Sequence, residues 1–269
     1  MSNENKKELN RKKRGQISKK DIEKYVDFKS PDLIEMLNDD DPKIRTIAAT
    51  ILEDKKSKES IEPLCAAIKK EKALYSRIAM SEALGKLGEE AVPPLIKLLG
   101  QIGSNQETEL PKKYFNKKSF PLARDMAART IIKIGKSAAP YLMKVVHEDD
   151  IYVSQQAIDA LGGIAAKTGD ERALPLLIEC LEKYSGDNLT LWKTIRALSA
   201  FKNVESPISP LLNIIQNYQE PAIIWETART LGQIGINRSD VLDAISKLEK
   251  NYNPQIKLSA KNAFLNLNK

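Results

Sequence analysis

One sequence pattern recurs along almost the whole chain, and it restricts the possible fold more than any other feature. A short apolar segment leads through a turn of the form Asp-Pro-x-Val-Arg into a second segment that reads x-x-Ala-Ala-x-Ala-Leu-Gly-x-Ile-Gly. Clear copies run from Asp41 to Leu52 and from Ser81 to Gly88. Because self-similarity at a fixed period is typical of stacked repeats, the chain is expected to fold as an array of similar units.

The position of the consensus Leu marks each copy of the pattern. Seven residues occupy this position: Leu52, Leu84, Ile131, Leu161, Leu198, Leu231 and Phe264. Successive markers are 32, 47, 30, 37, 33 and 33 residues apart. Apolar residues at i, i+3, i+4 and i+7 give each segment a helical stripe that a single hairpin cannot bury alone. The sequence therefore predicts an all-α fold, an α-solenoid (superhelix) of about seven stacked helical hairpins.

This hairpin with a period near 32 residues resembles the HEAT repeat, in the short form first noticed in phycobilisome lyases. The resemblance covers about residues 30–269 and implies the architecture, but such repeats serve many unrelated functions. It also implies that the basic residue of the turn bridges neighbouring repeats in a ladder. The basic residues at this position are Arg45, Arg77, Arg124 and Lys257. Copies four to six have Ser154, Leu191 and Ile224 instead, so the ladder is expected to be interrupted there.

The positive charge of the chain is concentrated at its start. The net charge is +7, of which residues 1–20 contribute +6 and the remainder +1. A segment with so little apolar surface cannot offset its chain entropy, so residues 1–16 are expected to be a basic disordered tail ahead of a solenoid at 17–269. The tail could bind nucleic acid or an acidic membrane surface, or simply keep the protein in solution.

The apolar segments are too short to suggest a membrane protein. None approaches the roughly 18 to 20 residues that a membrane span requires, and the start lacks the apolar core of a secretion signal. We therefore expect a cytoplasmic protein without a membrane partner. Cys65 and Cys180 lie in apolar helical stretches, where buried free thiols are expected.

The only two tryptophans occupy equivalent positions in copies five and six, each one helical turn before an arginine. The pairs are Trp192 with Arg196 and Trp225 with Arg229. Both positions lie away from the apolar stripe, on the face that lines the concave groove in HEAT solenoids. An aromatic ring beside a bidentate cation suits a peptide or a nucleic acid. In the alternative, both rings lie over the seam between repeats and contact only neighbouring repeats.

The equivalent positions in copies three and four give the expected groove a mixed charge. They hold Asp125 and Arg129 in copy three, and Gln155 and Asp159 in copy four. Arg129 and Asp159 are therefore candidates for contact with a partner, together with the two Trp–Arg pairs.

An insertion explains the interval of 47 residues between the second and third markers. It lies at about 102–120, between the two helices of copy three, and it interleaves lysines with aromatic residues. The candidate contacts with a partner are Lys112, Lys113, Tyr114 and Phe115, because such a mixture can neutralise phosphates and stack on bases. In the alternative, the loop is solvated and its aromatic residues hold it against the solenoid.

The residues do not support the enzyme activities found on similar scaffolds. Deoxyhypusine hydroxylase builds its di-iron site from several His-Glu pairs, and this chain has one pair, His147 and Glu148. No His-based triad, Cys/His zinc cluster or Gly-rich phosphate loop is present. No motif matches the HEAT-like alkylpurine DNA glycosylases residue by residue, and nothing marks a tetrapyrrole pocket for a bilin lyase. We therefore expect no catalysis, cofactor or metal.

These observations together favour a binding protein. We expect an adaptor or assembly factor, a scaffold that binds a segment of another protein along the groove of copies four to six. The alternative is an RNA- or ribosome-associated factor that uses the basic tail and the copy-three insertion. The last copy lacks a polar capping helix, so its outer face is expected to contact a partner or a second copy, and the oligomeric state stays open.

Overall fold

The structure is a computed structural model that describes residues 3–103, 105–114 and 119–268. Within these ranges every regular element is an α-helix or a short 3-10 helix. The chain divides into two compact units, and the segment Asn105–Arg124 belongs to the second although it is inserted in the first. From here on, the insertion means the described residues of this segment, 105–114 and 119–124.

Unit 1 consists of Met1–Ser104 and Asp125–Ala138 and contains three helical hairpins. Its helices are α1 (Asn3–Lys13), α2 (Lys19–Glu23), α3 (Ser30–Met36), α4 (Pro42–Lys55), α5 (Ile61–Lys70), α6 (Leu74–Leu87), α7 (Val92–Ile96) and α8 (Met126–Ile134). The hairpins are α3–α4, α5–α6 and α7–α8, and their second helices α4, α6 and α8 pack against one another in this order.

Unit 2 consists of Asn105–Arg124 and Ala139–Lys269 and contains four hairpins. Its helices are α9 (Ala139–Val145), α10 (Ile151–Thr168), α11 (Leu174–Lys183), α12 (Asn188–Leu198), α13 (Ile208–Asn217), α14 (Pro221–Ile234), α15 (Ser239–Glu249) and α16 (Pro254–Leu267). The second helices α10, α12, α14 and α16 pack in sequence. The predicted all-α solenoid of about seven HEAT-like hairpins is thus confirmed.

The turn of the repeat starts the second helix by capping it. The carboxylate of Asp41 accepts a hydrogen bond from the N–H of Lys43 at 2.9 Å, and Asp187 and Asn253 cap α12 and α16 in the same way. Proline follows the cap in α4, α14 and α16. An acceptor side chain followed by proline satisfies free N–H groups and fixes the first helical residue, so Asp-Pro in the pattern is a helix-start signal.

The repeat markers lie in the core with one exception. The first six, from Leu52 to Leu231, are essentially fully buried. Phe264 is 36% exposed, and Ala263 and Leu267 of α16 are buried instead. The last copy therefore turns a different face of its second helix inward from the one that the alignment of the markers predicts.

Of the turn arginines in unit 1, Arg45 bridges successive repeats, as the family resemblance implies, whereas Arg77 donates to the carbonyl of Lys72 in its own hairpin at 3.1 Å. The guanidinium of Arg45 donates to the carbonyls of Asp39 and Asp40 at 2.6 and 3.0 Å and, in the next repeat, to the carboxylate of Glu71 at 2.7 and 2.9 Å. Because these donors satisfy helix-end carbonyls and a buried acid together, Arg45 has a structural role.

The segment that the sequence predicts to be a disordered tail contains α1 (Asn3–Lys13), in which Lys12 pairs with Glu8 one turn earlier at 2.7 Å. The chain then packs at Gly15, which is buried against Thr46 and Ser76 with φ +88°, a conformation that only glycine adopts easily. The disorder of the tail stays a prediction.

Candidate functional site

A row of polar and aromatic side chains lies on the second helices of unit 2, where the sequence predicts a groove. We define the second-helix face by the residues at these positions: Gln155 and Asp159 of α10, Trp192, Lys193 and Arg196 of α12, and Trp225, Glu226 and Arg229 of α14. All of them are buried. The face is therefore covered in the structure rather than open to solvent.

The two tryptophans are not free to contact a partner. Trp192 is 1% exposed and Trp225 is 4% exposed, so the prediction of exposed indoles is wrong and the alternative of packed rings is closer to the structure. The guanidinium carbon of Arg196 lies over the Trp192 ring, 4.3 Å from its centroid. The guanidinium of Arg196 thus stacks on an aromatic ring of the same protein.

Glu107, in the insertion, is held by the basic residues of the second-helix face. Its carboxylate accepts two hydrogen bonds from the guanidinium of Arg196, at 2.9 and 3.0 Å. Lys193 Nζ lies 3.3 Å from the same carboxylate, and Arg124 Nε, further along the insertion, lies 3.4 Å from it. A bidentate pair of this kind is among the strongest polar contacts in proteins.

A second carboxylate binds the same two basic side chains. Asp159 of α10 accepts hydrogen bonds from Lys193 at 2.7 Å and from Arg196 at 2.6 Å. We call Lys193, Arg196 and Asp159 the Glu107 clasp. Burial by itself raises the pKa of Glu107, but the hydrogen bonds and charges of Arg196, Lys193 and Arg124 outweigh burial and lower the pKa to about 2. Glu107 is therefore ionised at neutral pH.

Aromatic residues hold the rest of the insertion against unit 2. Tyr114 is buried, and its N–H donates to the Gln255 side chain of α16 at 3.0 Å. The Phe120 ring lies against Gly162 of α10, where an added Cβ would approach it to 2.6 Å. The predicted alternative, a loop held by its aromatic residues, thus describes the insertion better than an exposed binding loop.

Of the other predicted residues of the insertion, Lys112 and Lys113 are exposed. Phe115 lies outside the described residues.

The structure does not bring together all the predicted groove residues. Arg229 is paired with Glu226 one turn earlier and donates to Ser199 Oγ at 3.3 Å. Arg129 is half-buried on α8 and belongs to unit 1, so it is not part of the second-helix face. The groove positions of copy three therefore belong to a different unit from the clasp.

Asp125, the partner position of Arg129, caps a helix. It accepts hydrogen bonds from the N–H groups of Ala128 at 2.8 Å and Gly100 at 3.2 Å. Its pKa is raised to about 6, because burial disfavours the charged form more than these N–H groups favour it. Its role is to start α8 after the insertion.

The sequence analysis did not single out Lys193 of the clasp or Glu107, the residue that the clasp holds. Lys193 directly follows Trp192 on a helix whose other residues are mostly buried, and Glu107 is an acid in the insertion. A lysine inside the buried stretch Leu191–Leu198 is a signal that an acidic partner must exist, because an unpaired buried ammonium is very costly.

The two cysteines and the single histidine have pKa values shifted by their surroundings. Burial raises the pKa of both Cys65 and Cys180 to about 12, as expected for buried free thiols. His147 is exposed, and partial burial and Lys183 lower its pKa. Among the described residues, no group of three or more His, Cys, Asp or Glu side chains could hold a metal ion. In the same residues, no helix combines the length and hydrophobicity needed to cross a membrane.

Several solved structures are similar to the chain at low identity. A designed armadillo repeat protein in complex with the peptide (KR)4 is 16% identical, with a TM-score of 0.44, over 89% of this chain and 99% of that chain. Human deoxyhypusine hydroxylase is 17% identical, with a TM-score of 0.40, over 89% and 84%. The CpcE and CpcF complex of phycocyanin lyase from Nostoc sp. is 21% identical, with a TM-score of 0.35, over 89% and 95%.

The sequence comparison defines the family. No curated protein matches the chain. The family model for HEAT repeats matches residues 30–103 and 112–190, more than half of the chain. Because the model covers more than half of the chain, the chain belongs to the HEAT-repeat family.

Proposed function

We propose that this protein is a non-catalytic adaptor in the cytoplasm that binds an extended segment of another protein on the second-helix face of unit 2. The observation that supports the proposal is the Glu107 clasp. There, Lys193 and Arg196 hold one carboxylate of a segment that has no regular secondary structure in its described part. The same two side chains would hold a carboxylate from a partner.

The charge balance of the clasp explains why an acidic side chain is required. Without Glu107, the buried Lys193 and Arg196 would share a single carboxylate, that of Asp159. An uncompensated buried charge is strongly destabilising. A second carboxylate, from the insertion or from a partner, therefore stabilises this face.

The test uses a variant in which a short Gly-Ser linker replaces residues 105–124. This replacement is geometrically simple, because the Met126 N–H donates to the Ile102 carbonyl at 3.2 Å, so the insertion leaves and re-enters unit 1 at one point. A fluorescent peptide with the sequence of residues 105–114 should bind this variant in an anisotropy titration. Glu107→Gln in the peptide should weaken binding about 10- to 100-fold, because a hydrogen bond to a charged group contributes about 1.5–3 kcal/mol.

The peptide offers a matched control two residues away. Glu109 is exposed in the structure, so a Glu109→Gln peptide loses the same charge without losing a contact of the clasp, and it should bind like the unaltered peptide. Equal weakening by both substitutions would mean that the peptide binds through net charge alone. No binding at all to a variant that keeps its helical circular dichroism and cooperative unfolding would refute the proposal.

A second candidate function is RNA binding through α1. All the described side chains of α1 are exposed, and the helix carries Lys6, Lys7, Arg11, Lys12 and Lys13. An exposed cluster of bases attracts phosphates. The insertion supports this candidate less than α1 does, since the Tyr114 ring is buried within the protein and is not available for base stacking.

A further inference from the structure

The inference about the insertion rests on the proposed function, because the insertion makes the contacts with Lys193 and Arg196 that a partner would make. We infer that the insertion is a displaceable intramolecular occupant of the second-helix face. An extended peptide with a carboxylate side chain, supplied by another protein, takes its place by pairing with Lys193 and Arg196. The protein would then bind its partner in competition with its own segment Asn105–Arg124.

The first reason is that the insertion fits the face incompletely. Three polar atoms of the second-helix face are buried and find no hydrogen-bond partner among the described residues: Trp192 Nε1, Arg196 Nε and Gln155 Oε1. Each of these side chains is at least nine-tenths buried. Because most buried polar groups in folded proteins are satisfied, three exceptions on this face indicate that the insertion is not the best ligand for it.

The chemistry of these three atoms matches a peptide backbone. Trp192 and Arg196 offer N–H donors, and Gln155 offers an acceptor. An extended peptide presents a carbonyl and an N–H at every residue. A free peptide can shift along the face until these groups meet, whereas the insertion is tied to unit 1 at both of its ends.

The second reason is that the helices of unit 2 pack without the insertion. α10, α12, α14 and α16 contact one another directly in sequence. The insertion adds the carboxylate of Glu107, the Tyr114 hydrogen bond to Gln255, a long contact of 3.4 Å between Gln106 and Gln156, and the Phe120 ring. Release of the insertion would therefore leave the helical stack in place.

The charge of the face favours a peptide with few acidic residues over a nucleic acid. Lys193, Arg196 and Arg229 are its bases, and Asp159 and Glu226 are its acids. The face thus needs one more negative charge, which one carboxylate supplies. The phosphates of a nucleic acid would lie close to the buried carboxylates of Asp159 and Glu226, and these negative charges would repel each other.

The experiment compares three full-length chains: the unaltered protein, Glu107→Gln and Glu109→Gln. The probe is the fluorescent peptide with the sequence of residues 105–114, which keeps its own glutamates. If the insertion competes with the peptide, the Glu107→Gln chain should bind the peptide at least about tenfold more tightly than the unaltered chain, because a larger fraction of its molecules has an open face. The Glu109→Gln chain should bind like the unaltered protein.

The outcomes separate this inference from the proposed function. If the linker variant binds the peptide but the Glu107→Gln chain binds no more tightly than the unaltered chain, the insertion does not compete and the inference is wrong. If the linker variant does not bind, the proposed function itself fails.

A second measurement does not depend on a variant. The backbone N–H of Tyr114 is hydrogen-bonded to Gln255 and should be protected from exchange with solvent. In isotope-labelled unaltered protein, an excess of unlabelled peptide should accelerate the exchange of this amide if the insertion is displaced. Unchanged exchange at peptide concentrations that saturate binding would place the peptide elsewhere and would overturn the inference.

Discussion

At the scale of single residues, the carboxylates of Glu107 and Asp125 differ in pKa because of the groups around them. Glu107 has a pKa of about 2, since the basic side chains of Arg196, Lys193 and Arg124 outweigh the effect of burial. Asp125 has a pKa of about 6, because burial outweighs the backbone N–H groups that favour its charged form. Full positive charges therefore decide the ionisation of Glu107.

The low pKa of Glu107 predicts a specific dependence of stability on pH. Its folded pKa is depressed from 4.5, so the stabilisation is present above pH 4.5 and is lost as the pH falls towards 2. This shift in the pKa of Glu107 contributes on the order of 3 kcal/mol to the free energy of unfolding. Denaturant unfolding at a series of pH values should show this loss for the unaltered chain and for Glu109→Gln, but not for Glu107→Gln.

The same substitution should already lower stability at neutral pH. Glu107→Gln leaves Lys193 and Arg196 with Asp159 as their one carboxylate. We expect the free energy of unfolding to fall by about 1–3 kcal/mol, and water that reaches the two basic groups when the insertion detaches keeps the loss from being larger. Parallel pH profiles for the unaltered and Glu107→Gln chains would contradict the assignment of the low pKa to Glu107.

At the scale of helices, glycine positions inside the second helices set how closely repeats approach. The repeat pattern suggests that Gly232 ends its helix, but α14 continues to Ile234, and Gly235 in the left-handed conformation ends it. A Cβ on Gly232 would lie 2.5 Å from Cα of Ala263 in α16. Gly232 therefore permits close packing of neighbouring helices instead of stopping one.

The close packing at Gly232 predicts that a Gly→Ala substitution has opposite effects on stability at Gly232 and at Gly85. Gly232→Ala should destabilise the protein by about 1–3 kcal/mol, because the backbone of α16 cannot move away without cost. Gly85→Ala in α6 is the control: its Cβ would meet only the Lys133 side chain at 3.4 Å, so it should be neutral or gain up to about 1 kcal/mol of helix propensity. Thermal unfolding measures both, and a stabilised Gly232→Ala protein would contradict the close approach.

At the scale of the whole molecule, charge is distributed unevenly along the chain. Residues 1–20 carry +6 of the net charge of +7. The described side chains of α1 in this segment are exposed, so the charge is accessible to a polyanion. The repeats themselves are almost neutral, and a polyanion would therefore be bound at the N-terminal segment.

The second candidate function makes a prediction at this scale. If α1 binds RNA, the double substitution Lys7→Glu and Arg11→Glu should weaken binding of a single-stranded RNA oligonucleotide at least about tenfold, and affinity should fall steeply as salt increases. Lys69→Glu with Lys70→Glu on α5 is the matched control, because both lysines are exposed and the charge change is the same. Equal effects in electrophoretic mobility shifts would rule out a site on α1.

Part of the site could be predicted from the sequence because part of it is periodic. Arg196 and Asp159 were singled out by their place in the repeat, and both belong to the clasp. Glu107 is in the insertion, where no period exists to align it with Arg196 of α12, which is 89 residues further along the chain. The exposure of Trp192 could not be predicted either, since the helical period places the ring on a face but does not say what covers the face.

The hairpins, their number and their order can be predicted from the residues alone, because the apolar period, the Asp-Pro caps and the alanines act between residues close in the chain or one repeat apart. The place of the insertion, and the carboxylate that neutralises Lys193 and Arg196, are known only from the folded chain. Ion pairing depends on distance in space, and a non-periodic segment has no local rule that fixes this distance.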